Sequence, residues 1–155
     1  MLEQSNLLET DQQGLAVSDM APSVPLRLLV IDDDNLHRMI ICRVGAKAGF
    51  LPAGAASYDE AAQLTQDNTF DCITLDLSLG EHAGIEMLRH LWVIGCKAPI
   101  IIVSGCDDAT CKETMKVAKS LNMHVWEAIP KPVDLVLLRN WLERLKYTRR
   151  AQVAA

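Results

Sequence analysis

Four short apolar runs each end on polar groups, and this constrains the fold more than any other feature of the chain. Leu28-Leu29-Val30-Ile31 runs into Asp32-Asp33-Asp34, and Phe70-Asp71-Cys72-Ile73-Thr74-Leu75 runs into Asp76. Ile100-Ile101-Ile102-Val103 ends on Ser104-Gly105, and Val125-Trp126-Glu127-Ala128-Ile129 on Pro130-Lys131-Pro132. Runs of this length, bounded by turn residues, read as buried strands of a parallel sheet. In open α/β sheets the chemistry lies in the crevice beyond the carboxyl ends of the strands. One rim would then receive carboxylates, a hydroxyl and an ammonium. A single Asp after a strand is ordinarily a turn-former; the coincidence of four such ends is what makes Asp76 a candidate.

The rest of the chain supplies the helices. Residues 1–25 mix Gln, Ser, Asp and Gly with isolated leucines and read as a flexible leader, although Leu2 to Leu8 could make a short helix. After Leu26–Ile31, Asp34 or Asn35 caps a helix to about Ala48, with Leu36, Ile40, Val44 and Ala48 on one face. Phe50–Ala55 is a weaker strand, and Pro52 places it at an edge. Ser57 or Asp59 opens a helix ending near Asn68. Ile85, Leu88, Leu91 and Trp92 space out a third helix, Asp107 or Asp108 caps a fourth to about Leu121, and Val133–Lys146 is the last. Its core stripe is Leu135, Leu138, Leu142 and Leu145. Leu137 and Trp141 form a second apolar pair expected to anchor a partner or a second copy of the chain. Strand and helix alternate five times, so the expected fold is α/β: a five-stranded parallel sheet, order 2-1-3-4-5, with helices on both faces. One domain, 26–147, is expected between the leader and a short tail, 148–155, whose Arg149 and Arg150 are expected to be solvated.

Composition excludes several classes. A net charge of −5 argues against direct nucleic-acid binding. No apolar stretch reaches 18 residues, so no membrane span is expected. The five cysteines are odd in number and scattered through apolar segments, which fits reduced thiols and a cytoplasmic setting rather than a disulfide framework. Cys106 and Cys111 read as ordinary thiols at a helix start, not as a redox pair. His37, His82, His90 and His124 have no ligand spacing.

Brought together, Asp32, Asp33 and Asp76 would repel one another unless a cation intervened. An all-oxygen cluster suits Mg²⁺. Lys131 and Ser104 suit phosphoryl oxygens, and an Asp beside Mg²⁺ and Lys is a nucleophile toward phosphorus.

On these residues the chain resembles the receiver domain of bacterial two-component response regulators, over roughly Arg27 to Lys146. The matching motifs are Val30-Ile31-Asp32-Asp33-Asp34, Asp76-Leu77-Ser78-Leu79 with Gly84, Val103-Ser104-Gly105, and Lys131-Pro132. The resemblance implies a flavodoxin-like fold. It makes Asp76 the phosphoacceptor, with Asp33 a direct Mg²⁺ ligand, Asp32 a ligand through water, and the Ser78 carbonyl completing the set. Ser104 and Lys131 would bind the phosphoryl group, and Lys131–Pro132 would be cis. It implies a sensor histidine kinase as donor, and a downstream protein or phosphorelay partner as recipient.

Three positions depart from the family. Gly80 stands where Pro is usual. Ala128 replaces the usual Tyr or Phe, with Trp126 on the same strand face by period two. His124 replaces a Gly, leaving Asn122 as a left-handed helix cap. The expected function is a stand-alone phosphoacceptor signalling protein rather than an enzyme. A receiver-fold module that no longer switches is the main alternative. An aspartyl phosphatase of the haloacid-dehalogenase type is disfavoured, because Ser78 stands where that class needs a second Asp.

Overall fold

A computed structural model describes residues 24–79, 82–105 and 107–154. Seven strands and five helices follow in chain order: β1 (Leu26–Ile31), α1 (Asn35–Lys47), β2 (Phe50–Ala55), α2 (Tyr58–Asp67), β3 (Cys72–Leu75), β4 (Ser78–Leu79), β5 (His82–Ala83), α3 (Gly84–Val93), β6 (Ile100–Ser104), α4 (Asp108–Ser120), β7 (Val125–Pro130) and α5 (Leu135–Ala154). Five strands form one parallel sheet in the order β2-β1-β3-β6-β7. That is the expected order, with the proline-bearing β2 and β7 at the edges. The antiparallel pair β4–β5 was not expected; it lies in the loop after β3.

Two apolar layers flank the sheet. Leu29, Ile31, Ile73, Leu75, Ile100 and Ile102 face α2, α3 and α4 through Ala61, Met87, Leu88, Leu91 and Ala118. Leu28, Val30, Cys72, Ile101, Val103 and Ile129 face α1 and α5 through Ile41, Leu138, Leu142 and Leu145. Strands covered on both sides explain why these runs are apolar throughout rather than alternating.

Side-chain oxygens start the helices. Asp34 accepts the His37 N–H at 2.9 Å, Ser57 accepts that of Glu60 at 3.1 Å, and Asp107 accepts that of Thr110 at 2.8 Å. Each satisfies a donor that the first helical turn leaves open. Asn122 adopts a φ of 54° after α4, the left-handed turn expected there.

Several faces differ from the periodicity reading. The buried residues of α1 are Ile41 and Gly45, followed by a buried Ala48 at its C-cap, while Leu36 is exposed. Gly45 lies where a Cβ would collide with the Leu28 side chain, so close approach to β1 rotates the helix off its larger apolar residues. Trp92 on α3 is exposed, as is Leu135 at 42%. Helix α5 runs on to residue 154, well past Lys146. Arg149 is not simply solvated: its Nη2 donates to Asp71 Oδ1 at 3.0 Å.

Strand β7 carries the largest surprise. Ile101 pairs with Trp126 but Val103 pairs with Ile129, so three residue steps on β7 match two on β6. This bulge breaks the alternation. Trp126 packs with the α1/α5 layer and Ala128 with the opposite one. Trp126 therefore does not share a face with Ala128, and its ring lies 5.3 Å from that of Trp141.

Candidate functional site

The parallel ladders carry the polar strand ends to one rim. The Asp76 N–H donates to the Ile31 carbonyl at 2.9 Å, and the Asp32 N–H to that of Ala55 at 3.0 Å. The Lys131 N–H donates to the Ser104 carbonyl at 3.2 Å. These bonds extend the sheet by one rung beyond its strands and fix the backbone from which each functional side chain leaves.

Asp32 and Asp76 are 1% and 3% exposed. Lys131 Nζ lies between them, 3.0 Å from Asp76 Oδ2 and 3.2 Å from Asp32 Oδ2. Asp33 is exposed, and one carboxylate oxygen from each of Asp32, Asp33 and Asp76 lies within 4.8 Å of the others. The Ser78 N–H donates to Asp76 Oδ1 at 3.0 Å. Ser104 is buried at the end of β6. All the residues expected at the rim are thus at or beside it, and the Lys131–Pro132 bond is cis. Gly80 and Cys106 lie outside the described residues.

The two buried carboxylates differ in ease of ionisation. Burial pushes Asp76 above the ordinary carboxylate range, and the Ser78 N–H and Lys131 offset only part of that. Burial also disfavours ionised Asp32, but His37, the Asp34 N–H and Lys131 together outweigh it and hold Asp32 below the usual range. For Lys131, the pull of Asp76 and then Asp32 exceeds the cost of partial burial and raises its pKa. One ammonium faces two buried carboxylates with a third beside them. An all-oxygen, net-negative donor set fits a hard divalent cation such as Mg²⁺.

Two residues at the rim had not been singled out for it. His37 Nδ1 lies 2.6 Å from Asp32 Oδ2, and the Arg38 guanidinium donates to the Asp32 carbonyl at 2.7 Å and to the Asn35 side chain. The only available signal was position: the first turn of a helix that follows a strand-end Asp can face back onto the rim. Ligand spacing, the usual test for His, does not detect this.

The response regulator receiver domain family matches residues 28–143. The chain belongs to that family. It is 31% identical over 114 residues to a protein-glutamate methylesterase/protein-glutamine glutaminase of Koribacter versatilis, covering 72% of this chain and 30% of the relative. It is 30% identical over 129 residues to the regulatory protein VirG of Agrobacterium tumefaciens, covering 83% of this chain and 45% of that one. The chain thus spans less than half the length of these two curated relatives. A Burkholderia pseudomallei response regulator, solved with a phosphorylated aspartic acid, a calcium ion and citrate, superposes with a TM-score of 0.65 at 25% identity. That match covers 83% of this chain and 73% of the other. Receiver domains are phosphoacceptor modules of two-component signalling. No helix among the described residues is long and apolar enough to cross a membrane.

Proposed function

We propose that this receiver domain accepts a phosphoryl group from a phosphohistidine of a sensor kinase onto Asp76. The observation that carries the reading is Lys131 Nζ held between the buried Asp76 and Asp32 carboxylates. An Asp76 oxygen forms the new O–P bond as the P–N bond of the donor breaks, and that bond's electron pair leaves with the imidazole nitrogen, which takes up a proton. The Lys131 ammonium and the Ser104 hydroxyl hold phosphoryl oxygens. The Asp32, Asp33 and Asp76 carboxylates and the Ser78 carbonyl would hold Mg²⁺, Asp32 through water. When bound, the ion neutralises charge that would otherwise keep a phosphoryl dianion from a carboxylate. A phosphorylated aspartate in the Burkholderia relative supports the same chemistry here.

The output is a change in binding to a downstream protein, transfer of the phosphate to a relay partner, or pairing with a second copy through α5. Leu135, Val136 and Leu137 are exposed at the start of that helix. The domain acts as a phosphoacceptor rather than as an enzyme. A second reading, an interaction module that binds partners without switching, is favoured by one residue: Ala128, small and packed against the core, stands where the family's moving aromatic is usual.

The test is incubation with phosphoramidate and MgCl₂ followed by intact-mass measurement. A single phosphate adduct is expected, removed by hydroxylamine and absent from Asp76→Asn. An unlabelled wild-type protein overturns the phosphoacceptor reading and leaves the non-switching one.

A further inference from the structure

The shortest contact to either buried carboxylate of the rim comes from a residue outside the family's phosphoryl-transfer set. His37 stands in the first turn of α1, where its backbone N–H donates to Asp34 Oδ1 at 2.9 Å and its ring turns back to Asp32 Oδ2 at 2.6 Å. Asp32 is thereby held from three sides: the Asp34 N–H on Oδ1 at 2.9 Å, and His37 with Lys131 on Oδ2. A ring nitrogen this close to a carboxylate oxygen carries the proton, so Nδ1–H is the donor. The His37 side chain is 19% exposed, whereas that of Asp32 is 1% exposed.

Resting on the phosphoacceptor reading above, we propose that His37 is a positioning residue for phosphoryl transfer. By donating Nδ1–H to Asp32 Oδ2, it fixes that carboxylate in the orientation that faces Lys131 and the cation. The physical argument is one of preorganisation. A carboxylate whose rotamer is already set meets a cation and its water shell without first losing side-chain freedom. His37 is one of three groups that hold the Asp32 carboxylate, with the Asp34 N–H and Lys131. Arg38 holds the backbone of the same residue through its carbonyl. Asp32 is therefore fixed at both its main chain and its side chain by consecutive residues of α1.

The experiment compares wild-type protein with His37→Leu, His37→Asn and His37→Gln. Asn places a donor near the position of Nδ1, whereas Gln places it near that of Nε2. Magnesium affinity is read by titration calorimetry, phosphoramidate labelling by mass, and folding by thermal melt. His37→Leu should weaken Mg²⁺ about tenfold and slow labelling to a similar degree. His37→Asn should come within about twofold of wild type, and His37→Gln should resemble His37→Leu. Should His37→Leu not fold, the Asn and Gln variants decide. Equal Mg²⁺ affinity and labelling in those two overturn the proposal, as does a folded His37→Leu with wild-type values. A variant that loses only melting temperature assigns His37 a purely structural role and also overturns it. Wild-type protein that neither binds Mg²⁺ nor takes label overturns the phosphoacceptor reading, and this inference with it.

Discussion

The indole rings of Trp126 on β7 and Trp141 on α5 pack at 5.3 Å, tilted by 60°. Both rings rest against the α1/α5 side of the core, and the Trp126 Nε1–H donates to His124 Nε2 at 3.1 Å. Trp141 is thus a packing residue between helix and sheet, not the free anchor that its place on the helix suggested. Trp141→Ala should cost about 2–3 kcal/mol. Leu137→Glu, at a site 37% exposed, should stay within about 0.5 kcal/mol. Urea denaturation measures both, and comparable losses in the two variants would contradict the assignment.

Asp32 and Asp76 should respond in opposite senses when neutralised. Asp76 is raised, chiefly by burial, so its contribution to stability is full below its unfolded pKa and declines as pH rises through the folded one. Asp32 is lowered, its bonds to His37, the Asp34 N–H and Lys131 outweighing burial. Its contribution is present above the ordinary value of 3.8 and is lost as pH falls through the folded one. In metal-free buffer at pH 7, Asp76→Asn should therefore raise the melting temperature and Asp32→Asn lower it. Melts between pH 3 and pH 8 would show the Asp76 difference shrinking as pH falls through its raised folded pKa, while the Asp32 difference holds above 3.8 and begins to shrink only below it. A shift of the same sign in both variants would reject this account.

Gly84 begins α3 where a Cβ would lie 2.6 Å from the Leu77 Cα. The Gly84 N–H also donates to the Leu77 carbonyl at 2.9 Å. A methyl group there must displace backbone one residue beyond Asp76. Gly84→Ala should cost about 1–3 kcal/mol and reduce phosphoramidate labelling of the folded protein. Unchanged stability and labelling would mean that the loop yields freely.

Cys72 lies at the centre of the sheet, and burial pushes its thiol up to about 12. Cys42 and Cys96 are only partly buried, and their thiols are raised by the same cause. Alkylation by iodoacetamide at pH 8 should reach Cys42 and Cys96 in the folded protein well before Cys72, which should react only on unfolding. Peptide mapping over time gives the order. Early modification of Cys72 would place it nearer solvent than the structure does.

Sheet order and rim are readable from the sequence because both rest on strong local signals. Apolar runs that end on charged residues mark both the layer and its edge, and Pro52 and Pro130 mark the outer strands. Period-two reasoning fails on β7 because a bulge inserts a residue, and nothing in Trp126-Glu127-Ala128 announces one. The face of α1 is misjudged because Gly45, with no side chain to register as apolar, occupies the closest approach to β1. Trp92 is misplaced because its spacing matches Leu88 and Leu91 while packing has room only for those two. His37 escapes notice because its partner is set by a helix turning back over a strand end, a three-dimensional relation with no pattern in one dimension. Beyond Lys146 the apolar stripe ends, yet Thr148-Arg149-Arg150-Ala151-Gln152 remains helical. Arg, Ala and Gln all favour helix, and Arg149 finds Asp71.

That last contact gives α5 a mechanical character. Asp71 immediately precedes β3 and Asp76 immediately follows it, about 17 Å apart along an extended chain. Lys131, just ahead of α5, grips Asp76, while Arg149, about 21 Å down the axis from the start of the helix, grips Asp71. The two spans between these contacts are of similar length, so β3 is tied at both of its ends to the α5 segment, like a strut bolted beside a beam. A strut held in this way does not easily slide along its axis.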